Sequence, residues 1–357
     1  MGWREKLLVH LGPGYFTGIT LGDWMGMLRD NRFRISLGCL PRATTVSLAA
    51  ILNSAIATLE AIRFRAAWNA VSVLPPLFVL GHYRHGTTHL HNLLSLDGRF
   101  AFPNMYQVSY PHTFLTTEAA NSAIANFFVP RKRPFDNVPL GMAVPYEDEI
   151  AMVSAARVPP YLSLVFPRRT DYYDSHLSFR NSSVEDISQW QNALLTFFKK
   201  LTLKHGKPLV IKSPPHTARI PLLLKMFPGA KFVHICRDPC EVFQSTLKMV
   251  ESGSRWTRLQ NDAVDLRRRT INGYREMYDA YFEDRGRIPP GHLHEMAFED
   301  LQEKPVKEIE RMHETLGLAD FSEIEQRFRD YVTSIAGYRR NRFPRLDDQE
   351  SALLRSE

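Results

Sequence analysis

Two glycines with four residues between them, Gly81 and Gly86, sit in the run Leu77-Phe78-Val79-Leu80-Gly81-His82-Tyr83-Arg84-His85-Gly86-Thr87-Thr88. The spacing is that of the phosphate loop G-x-x-x-x-G-K-[ST]. Backbone N–H groups of such a loop, with the positive end of the following helix, hold anionic oxygens. Thr87 stands where the lysine of a nucleotide hydrolase reaches the β and γ phosphates beside magnesium. The cation has moved inside the loop, to Arg84, and Thr87 and Thr88 add hydroxyl donors. A triphosphate with its metal fits this arrangement poorly. A donor with one 5′-phosphate and one further anionic group fits better. A plain glycine turn between strand and helix is the alternative.

A second anion site follows Lys231–Cys236, an apolar run that reads as a buried strand. Arg237 leaves its tip, Pro239 suits the first turn of a helix, and Ser245 lies two turns along it. The arginine fork binds two phosphate oxygens at once, and a serine hydroxyl can hold a third. Each residue alone has a plainer reading: Arg237 paired with Asp238 or Glu241, and Ser245 as a neutral helix position. Between the two sites, Lys207 to Pro214 reads as another short strand, with Lys212 at its end.

With these motifs in this order, the chain resembles the sulfotransferase superfamily. The superfamily's 5′-phosphosulfate loop commonly reads P-[KR]-S-G-T-T, here Tyr83-Arg84-His85-Gly86-Thr87-Thr88. Its 3′-phosphate motif is an arginine after a strand and a serine eight residues on, the spacing of Arg237 and Ser245. The Lys207–Pro214 stretch looks like the strand that delivers its catalytic lysine. Met296 to Leu301 resembles its late Y-E-D-L strand end, and Pro305 to Leu318 the helix after it. The likeness covers residues 75–320 and is nearest to a bacterial-type branch. That branch pairs G-H-x-R-S-G-T-T-x-L-H-N-L-L with a downstream P-x-E-D-E, here Pro145-Tyr146-Glu147-Asp148-Glu149.

The resemblance implies transfer of a sulfonate from 3′-phosphoadenosine 5′-phosphosulfate (PAPS) to a hydroxyl, leaving adenosine 3′,5′-bisphosphate, without a metal. Donor contacts would come from Arg84, His85, Gly86, Thr87, Thr88, Arg237 and Ser245. In relatives a basic C-terminal loop closes over the donor, which here points to Arg339 and Arg340. Lys212 and Arg84 would stabilise the charge that grows on the bridging oxygen of the departing nucleotide. His85 replaces the usual loop serine, with its imidazole expected to substitute.

The acceptor hydroxyl must lose its proton to a group within hydrogen-bond reach. Tyrosine-directed relatives use a glutamate downstream of the loop arginine, where this chain has Asn104-Met105-Tyr106-Gln107. Cytosolic relatives use a histidine next but one after the lysine, and that place is Pro214. Glu147 and Glu149 lie in an apolar setting that raises a carboxyl pKa. They stay open as catalytic bases, as do His216 and His112. The glutamates also read as a helix N-terminal charge cluster. A metal reading of His82, His85, His89 and His91 conflicts with holding an anionic donor on the same loop.

The elements that must position these residues form an α/β pattern. Strand–helix alternation argues a P-loop-type, doubly wound parallel sheet flanked by helices, with an N-terminal helical extension. The expected division is 1–75 as a helical region open to membrane association, 76–337 as the PAPS-binding domain, and 338–357 as a basic tail. Ala43 to Leu59 carries no charge. It reads as a packed helix, an interfacial helix or a membrane span. Aromatics at Phe100, Phe102, Tyr106, Tyr110 and Phe114 read as the acceptor side and point to a hydrophobic small molecule or lipid.

A net charge of +7 with pI near 9.3 suits an anionic nucleotide or an anionic membrane surface. Nucleic acid is not expected, because no basic helix with interleaved aromatics is present. Arg131-Lys132-Arg133 and Arg267-Arg268-Arg269 read as solvated faces. Three cysteines make no disulfide framework, so a cytoplasmic setting follows, with the inner face of a membrane as the alternative. Cys236 is expected as packing, and no cleavable leader is read at the N-terminus. The competing functions are a P-loop kinase using ATP and a non-catalytic, membrane-associated nucleotide binder.

Overall fold

A computed structural model describes residues 10–129, 138–335 and 337. Its centre is a parallel sheet of β1 (Leu77–Leu80), β2 (Val210–Lys212), β3 (Lys231–Cys236) and β4 (Leu293–Ala297). The order is β2-β1-β3-β4, with Leu77 beside both Val210 and Lys231. Strand β1 has no polar residue because both of its faces are covered. Phe78 and Leu80 join one core with Phe198, Phe227 and Phe232, while Leu77 and Val79 join another with Leu90, Ile309 and Phe328. The chain passes from β1 to a neighbour on one side and then crosses to β3 on the other. A crevice therefore opens at the carboxyl ends of β1 and β3, where doubly wound sheets bind ligands. The α/β class expected from the motifs is the one adopted.

The N-terminal elements pack against the helices beside the sheet and share a core with it. Helix Leu21–Asp30 is capped by Thr20, whose hydroxyl accepts from the Asp23 N–H at 3.2 Å. Helix Leu40–Ala70 runs well past both ends of the uncharged stretch. Pro41 suits its first turn, and nothing from Glu60 to Ala70 breaks it. Phe16, Trp24, Val46 and Ala50 share one core with Phe78 and Ile211. Polar anchors fix the helix: Asn53 donates to the Thr17 and Ile19 carbonyls at 3.0 and 3.1 Å, and buried Glu60 pairs with Lys200 at 2.5 Å. The opposite face is apolar and exposed, so only 22 % of the helix's most apolar window is buried.

Several local expectations change. Tyr106 and Phe114 are core residues rather than acceptor lining. Cys236 is exposed, because it ends β3 at the crevice. Arg269 is not simply solvated, since its guanidinium grips Asp174 at 2.8 Å. After β2 come a 3-10 turn, Pro214–Ala218, and a helix, Ile220–Met226. Arg131-Lys132-Arg133 lie outside the described residues.

Candidate active site

The loop after β1 owes its path to its glycines. Gly81 has φ +139°, and a Cβ there would come within 2.5 Å of the Ile235 carbonyl oxygen. Gly86 has φ +93° and opens helix Thr87–Leu94; its Cβ would meet the Phe298 ring at 2.3 Å. The Gly81 N–H donates to Thr217 Oγ1 at 2.8 Å, which ties the loop to the Pro214–Ala218 turn. Arg84 takes a left-handed φ of +69°, a strained conformation for a non-glycine residue. Its Nε donates to Ser245 Oγ at 2.8 Å. The loop cation and the serine of the second motif thus meet across the crevice. Arg237 pairs with Glu241 at 2.7 Å, its plainer reading, and its guanidinium lies 4.6 Å over the same Phe298 ring that Gly86 touches.

His85, in the place of the loop serine, is enclosed by the fold. Its ring is fully buried, with Nδ1 3.0 Å from the Tyr278 hydroxyl, and the His85 backbone N–H donates to the His82 carbonyl. Burial, with His82, His234 and Arg237 nearby, holds its pKa well below the usual value. Burial likewise lowers His82 to about 4 and His91 to about 3. His82, His85 and His91 are therefore neutral at pH 7.

Three consecutive acids face three bases of the β2 exit. Lys212 Nζ lies 2.5 Å from Glu147 Oε1 and donates to Thr88 Oγ1 at 3.4 Å. His216 Nε2 lies 2.8 Å from Asp148 Oδ2, and the Ser213 hydroxyl donates to Asp148 Oδ1 at 2.7 Å. Arg219 Nη1 donates to Glu149 Oε2 at 2.9 Å, and Trp190 Nε1 does so at 3.3 Å. Burial raises the Asp148 carboxyl, but the charge and hydrogen bond of His216 and the Ser213 hydroxyl outweigh it and leave the group below its ordinary value. Asp148, Glu149, His216 and Arg219 are all fully buried. Glu149 and His216, both weighed as proton acceptors, are therefore enclosed, Glu149 paired with Arg219 and His216 hydrogen-bonded to Asp148. Glu147 differs, because a fifth of its side chain, 20 %, is exposed.

Glu147 lies beside an aromatic group that the sequence did not single out. The Tyr161 hydroxyl donates to Glu147 Oε2 at 2.7 Å, and burial together with that carboxylate pushes the phenol pKa far up. Tyr15 and Tyr83 have ring centroids 6.0 and 6.1 Å from Tyr161, and Tyr146 is beside Tyr15. No spacing in the sequence links Tyr15 to Tyr161. The Lys212-His216-Arg219 spacing opposite Glu147-Asp148-Glu149 was a signal that could have been read. His112 stands against Asp23 at 3.5 Å. Arg339 and Arg340 lie outside the described residues.

An arginine-bearing phosphate loop and a buried lysine at the switch point of a parallel sheet fit group transfer from an anionic donor. A profile of the Sulfotransferase family matches residues 75–323, and the chain belongs to that family. It is an enzyme, a sulfotransferase. Over 353 residues, 98 % of this chain and 89 % of the relative, it is 32 % identical to omega-hydroxy-beta-dihydromenaquinone-9 sulfotransferase Stf3 of Mycobacterium bovis. The protein of that name from Mycobacterium tuberculosis matches to the same degree. Sulfotransferase STF1 of M. tuberculosis H37Rv shares the fold with a TM-score of 0.64, 14 % identity and 86 % of each chain covered. Sulfotransferase STF9 of Mycobacterium avium does so with 0.63, 18 % and 95 %.

Proposed function

We propose that the chain transfers a sulfonate from PAPS to a hydroxyl of a hydrophobic, lipid-like acceptor, with Glu147 as the base. The observation that carries this reading is the Lys212–Glu147 pair at 2.5 Å beside Thr88 of the phosphate loop. The donor fits the residues present. Arg84, Thr87 and Thr88 would hold the phosphosulfate, and Ser245, once released from Arg84, would hold the 3′-phosphate with Arg237, once it exchanges Glu241 for phosphate. Arg339 and Arg340 are candidates to close over it.

In the reaction, the acceptor oxygen forms a bond to sulfur as the bond from sulfur to the bridging oxygen breaks. Glu147 takes the hydroxyl proton. Lys212 and Arg84 neutralise the charge left on the departing nucleotide, and groups fixed in advance do this at little reorganisation cost. Asp148–His216 and Glu149–Arg219 act as positioning pairs that hold Glu147 and Lys212 in register. The Stf3 relatives are named for omega-hydroxy-beta-dihydromenaquinone-9, an isoprenoid quinone bearing a hydroxyl, and Tyr15, Tyr83, Tyr146 and Tyr161 offer a matching wall. Such an acceptor resides in a bilayer, so the enzyme works at the inner face of a membrane while the donor arrives from the cytoplasm.

The test is incubation with PAPS and hydroxylated isoprenoid lipids, followed by mass spectrometry. A sulfonated lipid together with adenosine 3′,5′-bisphosphate is expected, and Lys212→Ala should abolish both. Magnesium-dependent ATP turnover without sulfonation would overturn the reading in favour of a kinase.

A further inference from the structure

The outward face of helix Leu40–Ala70 has no partner among the described residues. Leu48, Ile51, Leu52, Leu59 and Ile62 are exposed, Ile62 to 79 %. With Ala55 they fall on one side of the helix by their spacing. Ala43, Val46, Ala50, Asn53, Glu60 and Trp68 are buried on the other. A helix apolar all round needs apolar surroundings all round, and the globule supplies only half of them. The stripe also has marked ends. Arg32 and Arg34, with exposed Phe33 and Leu37, precede it, and exposed Arg63 and Arg65 follow its apolar part. Between Asp30 and Asp97 the sequence has one acid, Glu60, and it is buried against Lys200.

We infer that this face docks on an anionic lipid bilayer, with the helix lying in the interface and its basic ends on the headgroups. A second copy of the chain is a poorer occupant, because self-pairing would set arginine ends against arginine ends with no acid between them. A crossing helix is excluded by the anchors. Asn53 holds the Thr17 and Ile19 carbonyls, Glu60 holds Lys200 and the Thr116 N–H, and Arg42 holds the Arg258 carbonyl. These bonds keep the helix on the globule. The segment they tie down also carries Tyr15, which stacks on Tyr161 beside Glu147. The docking helix is thus one short segment from the acceptor side. This placement deepens the lipid-acceptor reading, but the surface argument stands without it.

The test is co-sedimentation of the full chain with vesicles of phosphatidylcholine alone or mixed with phosphatidylglycerol. Binding is expected to be at least tenfold stronger to the mixed vesicles, and alkaline carbonate should release the protein. Ile51→Glu combined with Leu59→Glu should abolish binding while the affinity for adenosine 3′,5′-bisphosphate, which reports folding, stays unchanged. Arg63→Glu combined with Arg65→Glu should remove the preference for phosphatidylglycerol. Failure to bind mixed vesicles overturns the proposal. So does retention through carbonate, which means a span, and so does a dimer in lipid-free solution that the Ile51→Glu, Leu59→Glu variant dissolves. Sulfonation of a short-chain, water-soluble alcohol is measured in parallel, so loss of docking is told apart from failure of the functional reading.

Discussion

At the scale of single residues, the site is a set of charges each held by an internal partner. A buried lysine needs a counter-charge, and Glu147 supplies it to Lys212 at 2.5 Å. An anionic donor competes for that lysine. When it wins, Glu147 loses the cation that stabilised its charged form, and its proton affinity rises. On the proposed reading, donor binding prepares Glu147 to act as the base. Glu147→Gln keeps the shape and removes the proton acceptor, so kcat should fall by about 100- to 10,000-fold, with the affinity for adenosine 3′,5′-bisphosphate unchanged. Single-turnover kinetics beside nucleotide titration checks this. A fall in affinity as large as the fall in kcat would reduce Glu147 to a structural counter-ion.

Elements explain which of these residues could be read in advance. The glycine-spaced loop from Gly81 to Thr88 was legible because local backbone geometry dictates it, and β1 and β3 were legible as short, largely apolar runs, β3 interrupted by His234. Ser245 was placed by its distance from Arg237, and it indeed meets Arg84. The enclosure of Glu149 and His216 was not legible because burial is a tertiary property. Both belong to the seam between helix Asp148–Ala155 and the Pro214–Ala218 turn. Consecutive helical residues point about 100° apart, so three acids in a row at a helix start can meet three separate partners. Lys212, His216 and Arg219 present those partners from one strand end and one tight turn. The long N-terminal helix was only half legible, since its composition fits packing and lipid contact alike. Its anchors, Asn53 and Glu60, show that one face packs on the globule.

Over the whole molecule, buried neutral histidines set the response to acid. His82, His234 and His294 are lowered to about 4 and His91 to about 3, each chiefly by burial. In the unfolded chain a histidine takes up its proton near 6.5. Between that pH and the folded values the unfolded state binds more protons, so stability falls as pH falls through this window. Each such group contributes a slope of about 1.4 kcal/mol per pH unit at most. Urea unfolding from pH 7 to 4.5 should show a steep loss of stability beginning above the carboxylate range, and His82→Asn should flatten it. A flat profile down to pH 4.5 would mean that these rings are hydrated. Asp148 adds a second limb: its lowered carboxyl stabilises the fold above its unfolded value and loses that effect as pH drops through the folded one.

Both ends of the crevice must grip one nucleotide for any of this chemistry to proceed, and titration calorimetry reads that directly. Adenosine 3′,5′-bisphosphate should bind at least tenfold more tightly than AMP, since a charge-assisted phosphate contact is worth about 1.5–3 kcal/mol. Arg237→Ala combined with Ser245→Ala should erase the difference. Equal affinities for the two nucleotides in the unaltered protein would contradict the account.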